Sequence, residues 1–555
     1  MRGSVFLAAL FLAPFVRCVE NYESYLAKTE ILSVAVGITV IGVLLCSGRF
    51  HFFKAAPVPA LTALLSFCSF RLFVSQAPGL GISNLLGMVL LLLVIQWTAN
   101  EKHDEFLLKK VLIVQGWIML IALSWLAASQ IPGGMVWDPS RFFWSVPNID
   151  FSESFFTGRN YYAVYAGFIS LLLYGRYRIK VLPLLLLGSG IALGSRTVAV
   201  ALCVVACGRV VTRYSGISHS RLYSLILACG LTACLMVSSG GESAFRHASF
   251  QSRIMAWKSC LYQTRKNPLF GTGGGSFQRE LSGNYPRFDA KVALTRDRMK
   301  FAHNDYLEIL GENGIIGFVL FIAFCISCLK TVDRNSADAV LFLLLCGLTD
   351  IPGQMGHCVF LFGVVLGMDL AAGQRVDTSG GMIKAAVILL SLWAVSTSIA
   401  FLYSQHSLGQ ALRMQTGREK KLERAMLLRP WHTDTLIWNA RQSVKAGNLQ
   451  RAAELCVRAL AADPWNHDVH FEYGSVLMLL KKFKEASEHF DQYRILEDDS
   501  RAGHTRLLHM IEAYYHAGRK QDVMKIVDAL DQRAPDLAWR ALDRISRWEQ
   551  TNMQK

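Results

Sequence analysis

Charge is scarce in this chain: only 18% of its 555 residues are Asp, Glu, Lys or Arg, against 52% that are hydrophobic. That balance excludes a single soluble domain, because runs such as LLGMVLLLLVIQW and IKVLPLLLLGSGIALG carry more apolar surface than a soluble core absorbs. The thirteen cysteines make no disulfide framework. Most of them, among them Cys46, Cys68, Cys203, Cys207, Cys229 and Cys346, sit inside apolar runs and read as small buried hydrophobes. No His-Glu pair stands at zinc spacing on one helix and no Gly-x-Ser-x-Gly elbow occurs. No Lys-Ser or Lys-Thr follows a glycine-rich loop. Zinc hydrolysis, elbow-type serine hydrolysis and P-loop nucleotide chemistry are thereby set aside. A net charge of +16 invites a nucleic-acid reading, but the basic residues are divided among short loops, so no nucleic-acid partner is expected.

What the chain does hold is a series of apolar segments, near 30–48, 58–76, 79–97, 110–128, 160–175, 179–194, 197–212, 221–238, 315–330, 338–351, 357–373 and 383–402. They predict an all-α, polytopic membrane helical bundle of twelve spans, or thirteen with the N-terminal run SVFLAALFLAPFV, which is either a signal peptide or a first span. Lys and Arg resist translocation and collect on the cytoplasmic side. Placing residue 20 outside puts Arg49 and Lys54, Lys102 to Lys110, Arg176 to Lys180, Arg209 to Arg221, Lys330 and Arg334, and Arg375 and Lys384 all in cytoplasmic loops. The expected organisation is a signal or first segment at 1–29, a membrane domain at 30–403 with an external loop at 239–304, and an external domain at 404–555. The external loop holds eleven Lys or Arg against four acids, a balance that attracts an anionic headgroup or phosphate.

After Tyr403 the composition becomes charged and helix-forming. Pro430–Trp431 and Pro464–Trp465 stand 34 residues apart, with Ala452 and Ala486 in the same register, and a third unit with about three extra residues follows Asp498. That is the tetratricopeptide period, which predicts a soluble α-solenoid with a concave face for a protein partner or, alternatively, a rigid spacer.

The candidate chemistry lies just before the ninth span, in AHNDYLEILGENGIIGF. Asn304 is placed to cap a short helix beginning at Asp305, and GENG breaks that helix before the span proper. His303 would then be held at the water–lipid boundary, where a neutral imidazole accepts a proton. Arg196 in LGSRTVAV stands at an external membrane face, and Arg253 in SRIMAWKSC opens an amphipathic external segment. Guanidinium groups suit a diphosphate because they keep their charge and bond oxygens in pairs. The glycines of NPLFGTGGGSF, residues 267–277, allow tight turns and close backbone approach.

TGRNYYAVYAGF at 157–168, GSRTVAV at 194–200, Arg253 to Trp257, NPLFGTGGGSF and HNDYLEILGENGIIGF at 303–318 together resemble the O-antigen ligase and O-antigen polymerase superfamily of bacterial envelope glycosyltransferases. The resemblance implies an inverting sugar transferase of the inner membrane, needing no metal or other cofactor. Its donor would be an undecaprenyl-diphosphate-linked glycan, used on the periplasmic face. By position Arg196 and Arg253 would hold the diphosphate and His303 would serve as base. Arg159, in TGRN, is a further phosphate candidate, and Asp350, in LTDIPGQ, either supports the acceptor or merely caps a helix end. Thr197 departs from the glycine or alanine that many members carry after the arginine. The implied acceptor is lipid A core, another glycan or a protein hydroxyl. The ligase reading stands beside polymerase and protein O-glycosylation, and beside a lipid-linked glycan flippase from a different class.

Overall fold

The computed structural model describes residues 24–47, 57–73, 75, 78–100, 105–130, 159–193, 195–239, 248–277, 280, 301–371, 381–414, 417–496, 504–531 and 535–553. Every expected apolar segment falls on a helix. These are α1 (Ser24–Ser47), α2 (Pro57–Phe73), α3 (Pro78–Asn100), α4 (Glu105–Gln130), α5 (Arg159–Gly175), α6 (Val181–Ala192), α7 (Arg196–Ser215), α8 (His219–Ser239), α10 (Asp305–Thr331), α11 (Arg334–Cys346), α12 (Gly356–Ala371) and α13 (Gly381–Arg413); α9 (Ala248–Lys266) lies between α8 and α10. Five of them hold segments long and apolar enough to cross a membrane, Leu108–Trp125, Arg196–Ser215, His219–Ser238, Asp305–Thr331 and Lys384–Arg413. Five shorter apolar stretches, such as Pro57–Leu72 and Gly356–Leu370, lie on other helices.

The described residues fall into two compact units. The first holds α1 to α8, α9 from Ala256, and α10 onward to His406. Its centre is the pairing of α3 with α12, where Leu90, Val94, Ile95, Phe360, Leu361 and Val364 are buried. Gly363 and Gly367 make that pairing close: a side chain at either position would meet Val94 at 2.9 Å or the Ile95 carbonyl at 2.7 Å. Lipid tails supply no hydrophobic force between helices, so intimate packing over small residues has to hold them. Around this pair, α11 packs on α5, α7 and α8, and α10 packs on α2 and α8.

The second unit runs from Ser407 and also includes the first turns of α9. Its helices are α14 (Arg418–Leu428), α15 (Thr433–Lys445), α16 (Leu449–Ala462), α17 (His467–Leu479), α18 (Phe483–Leu496), α19 (His504–His516), α20 (Lys520–Asp531) and α21 (Pro535–Met553). Successive helices pack in pairs, and α15 and α17 begin 34 residues apart, as do α16 and α18. The third pair arrives three residues late, as the sequence period indicates. Ala452, Ala459 and Ala486 are fully buried where paired helices meet, and Asn448 and Asn466 cap α16 and α17 through the amides of Arg451 and Val469.

Candidate functional site

The residues at the head of α10 are held from several sides. Asn304 accepts from the amides of Tyr306 at 3.1 Å and Leu307 at 3.0 Å, the cap expected from the sequence, and its amide donates to the Leu348 carbonyl at 2.7 Å. The Asp305 amide donates to the Gly347 carbonyl at 2.9 Å, while its carboxylate accepts from the Gly353 amide at 2.9 Å. On the other side of His303, the Ala302 amide donates to Glu308 at 2.7 Å and its carbonyl accepts from the Trp257 indole at 3.1 Å. His303 sits between these two pinned neighbours with φ +50°, a conformation that a non-glycine residue keeps only when its surroundings impose it.

The imidazole Nδ1 of His303 lies 3.5 Å from the carboxylate of Asp350, which is fully buried. One oxygen of Asp350 accepts from the Ile351 amide at 3.1 Å and the other has no partner. The two groups face each other without a hydrogen bond, and the buried carboxylate is placed to orient the ring and to offset a positive charge on it. The ring is 27% exposed, so a substrate can reach it. Sequence spacing gave no hint that Asp350 addresses His303, 47 positions away.

The break at GENG is a reversal, not a kink. Gly314 has φ 65° and ψ −168°, and beyond it the chain turns back so that the rings of Tyr306 and Phe321 meet at a tilt with centroids 5.3 Å apart. Fifteen residues of straight helix would separate them by roughly 22 Å. The first segment of α10 therefore folds back toward the second.

A reversal strands backbone groups on both sides of the turn, and NPLFGTGGGSF supplies their partners. The amides of Ile315 and Ile316 donate to the carbonyls of Pro268 at 2.8 Å and Leu269 at 3.2 Å. In return the amides of Thr272 and Gly273 donate to the carbonyls of Gly311 at 3.2 Å and Glu312 at 2.8 Å. The Glu312 carboxylate accepts from the Phe277 amide at 3.1 Å and from Asn84 at 3.3 Å. Arg71 of α2 closes the arrangement, donating to the Gly271 carbonyl at 3.0 Å. Inside a membrane every backbone group needs such a partner. The glycine loop is thus a plug for the helix break, and these amides are engaged instead of being offered to a phosphate.

Arg196 is the first residue of α7 and is exposed, at the positive end of a twenty-residue helix. The Thr349 hydroxyl donates to that of Thr197 at 3.0 Å, which ties this helix start to the residue next to Asp350. The departure at Thr197 therefore carries a contact that glycine or alanine would lack. His303, Asn304 and Asp350 come together, and the contact of Thr197 with Thr349 brings the start of α7, which Arg196 opens, to the residue beside Asp350. Arg253 is half-buried in the part of α9 counted with the second unit, four residues before Trp257. Arg159 is the first residue of α5. Among the described residues no three His, Cys, Asp or Glu side chains gather as a metal site. The sequence reading missed Glu308, Glu312, Trp257 and Arg71. The i, i+4 spacing of the two glutamates was the one available signal.

Residues 181–322 match the family model for O-Antigen ligase. This part of the chain is similar to the O-antigen ligase family. Residues 443–507 match a Tetratricopeptide repeat model, in agreement with the paired helices of the second unit. No curated protein matches the chain. The ligase match takes in Arg196, Arg253, His303, Asn304 and the whole interlock of residues 268–273 with 311–316, and it stops short of Asp350. Asp350, beyond the matched residues, is brought to His303 only by the fold.

Proposed function

We propose that this O-antigen ligase-like membrane protein is an inverting glycosyltransferase that moves an undecaprenyl-diphosphate-linked oligosaccharide to an acceptor hydroxyl. What supports the reading most directly is His303, fixed in a left-handed conformation between pinned neighbours, with Nδ1 toward buried Asp350 and Nε2 available. Nε2 takes the proton from the acceptor hydroxyl as its oxygen attacks the anomeric carbon. The bond from that carbon to the diphosphate oxygen breaks on the opposite face, its electron pair leaves with the diphosphate, and configuration inverts. Arg196, with the free amides at the start of α7 behind it, meets the charge that develops on the leaving group. Arg253 and Arg159 are further candidates for the phosphates. The chemistry is metal-independent in this reading, the guanidinium groups supplying the positive charge that stabilises the leaving diphosphate.

The distribution of Lys and Arg supports an inner-membrane orientation with the His303 end and residues 404–555 in the periplasm. The repeats suit a protein partner. The test is a reconstituted assay with purified protein, an undecaprenyl-diphosphate oligosaccharide and lipid A core, glycan and protein acceptors in chelator-treated buffer. Transfer to one acceptor, abolished by His303→Ala and by Arg253→Ala in folded protein, is expected, and the acceptor names the subclass. Labelled lipid crossing the bilayer equally well with His303→Ala, without transfer to any acceptor, would replace this reading with a flippase.

A further inference from the structure

Away from His303, the first unit ends in a surface whose acids are turned inward and whose cations are turned outward. α7 starts beside Thr349, just past the end of α11, and its last turns meet the first turn of α11, where Arg209 donates to Asp338 at 2.9 Å. The buried Asp338 also accepts from the Tyr223 hydroxyl, so the ends of α7, α8 and α11 share one carboxylate. Beside it Arg176, just past α5, donates to Ser336 of α11 at 3.0 Å and to the buried carboxylate of Asp369 at 2.6 Å. The exposed acids described here are engaged too: Glu105 accepts from Arg176 at 2.9 Å and Asp333 from Asn335 at 2.7 Å.

The outer arginines are not matched in this way. Arg213, Arg221 and Arg334 are exposed and have no carboxylate partner among the described residues. Arg213 and Arg221 flank the short turn between α7 and α8, and Arg334 opens α11 one helical turn before Asp338, which joins both of those helices. Charges that serve only to keep a loop from crossing a membrane could stand anywhere along it. These come from separate segments to one place.

Tyrosines mark the depth of this surface. Tyr174 is 46% and Tyr214 80% exposed, with the Arg209 guanidinium 5.2 Å from the first ring and that of Arg213 6.0 Å from the second. Ile217 is also exposed in the turn between α7 and α8. Tyrosine and arginine side by side at the ends of apolar helices belong to the headgroup layer, where rings meet glycerol and acyl carbon and guanidinium groups meet phosphate. Among the five candidate spans, α7 and α8 are the least covered by protein, with 22% and 11% of their apolar windows buried, so acyl chains have room beside them.

We infer that the α7–α8 turn and the start of α11 bind an anionic phospholipid, its phosphodiester met by Arg213, Arg221 and Arg334 and its acyl chains lying along the exposed faces of α7 and α8. Guanidinium groups stay charged and bond phosphate oxygens in pairs. A zwitterionic headgroup brings its own cation and loses most of that attraction. A soluble anion has no acyl chains to match the apolar faces. The surface lies at the other end of α7 from Arg196, so it stands or falls apart from the transferase reading.

The test is native mass spectrometry of the full chain from detergent micelles supplied with equal amounts of phosphatidylglycerol and phosphatidylcholine. Each basic residue at such a surface is worth about fivefold in affinity, so wild type should prefer phosphatidylglycerol about a hundredfold at low salt, and less in about 0.5 M NaCl. Arg213→Gln, Arg221→Gln and Arg334→Gln together should bring the two lipids within about threefold of each other, whereas Lys at all three positions should keep most of the preference. Each single glutamine variant should cost about fivefold, so the test does not depend on the triple variant folding. Removing as much charge from an exposed segment of the second unit, with Lys481→Gln, Lys482→Gln and Lys484→Gln, should change nothing. Peptides covering 208–223 and 330–338 should exchange hydrogen more slowly with phosphatidylglycerol than with phosphatidylcholine. Equal retention of the two lipids by wild type, a preference that survives the glutamine variants, or an equal loss in the second-unit variant would each overturn the assignment. Inorganic phosphate protecting the same peptides as well as the lipid does would overturn it too, since the occupant would then be a free anion.

Discussion

Replacing Gly314 by alanine should undo the plug that closes the helix break. The backbone there, φ 65° with ψ −168°, lies in a region that is essentially reserved for glycine, so alanine costs roughly 1–3 kcal/mol in strain alone. An added Cβ would lie 2.4 Å from the Leu269 carbonyl oxygen and 2.6 Å from the Gly271 nitrogen, both backbone atoms that no rotamer change can move aside. The loop must withdraw, and the Ile315 and Ile316 amides lose the Pro268 and Leu269 carbonyls, at about 1 kcal/mol each. The sum is roughly 4 kcal/mol, which corresponds to about a thousandfold rise in local opening. Hydrogen–deuterium exchange by mass spectrometry on peptides covering 268–277 and 311–318 reads this directly. Gly216→Ala is the matched control: its φ is +68°, but nothing lies within 4 Å of an added Cβ, so about 1 kcal/mol and no change in those peptides is expected. Exchange at Ile315 and Ile316 in Gly314→Ala within threefold of wild type would refute the interlock as described.

Asp350→Asn should lower kcat roughly 10²–10⁴-fold with donor affinity nearly unchanged, because no buried negative charge then faces the imidazole that takes up the proton; steady-state kinetics with a lipid-linked donor separates the two effects. Asn304→Ala removes a cap for two amides and strands the Leu348 carbonyl, which should cost roughly 2–4 kcal/mol and lower the thermal midpoint of the purified chain, whereas Asn304→Asp should keep the cap and lose only the Leu348 contact. In the repeats, His489 is pushed down from 6.5 to about 4 by burial and by the neighbouring His470, whose Nδ1 lies 3.0 Å from its own. A base with a depressed folded value contributes its full stability above pH 6.5 and loses it as the pH falls toward 4. Solvent at this half-buried ring discounts the effect to roughly 1–2 kcal/mol. Protection factors of amides in residues 467–496, which divide out the intrinsic slowing of exchange at lower pH, should fall between pH 7 and pH 4.5, and His489→Gln should flatten that dependence.

Local rules account for what could be read without coordinates. A cap needs only a side chain and the next three residues, so Asn304 announced the start of α10. A 34-residue period needs only register, so the paired helices of the tail were legible from Pro430–Trp431 and Pro464–Trp465. Long apolar runs locate helices because hydrocarbon tolerates little else. The motifs GENG and NPLFGTGGGSF also marked where the backbone would be unusual, since glycine is the residue that permits it.

Contacts between distant segments were beyond that reach. GENG signalled a break, but a kink and a reversal begin with the same glycine, and packing of Tyr306 against Phe321 decided between them. The glycine loop showed close approach without naming what it approaches; the answer is the unpaired backbone of a helix 40 residues away. Asp350 looked like a helix end because its local sequence is one, and it became the partner of His303 only when α11 brought it there. Sequence by itself determined where helices form and which residues could carry charge or a proton. Tertiary structure decided which of them face each other, because a hydrogen bond or an ion pair depends on a few ångströms in space and not on separation along the chain.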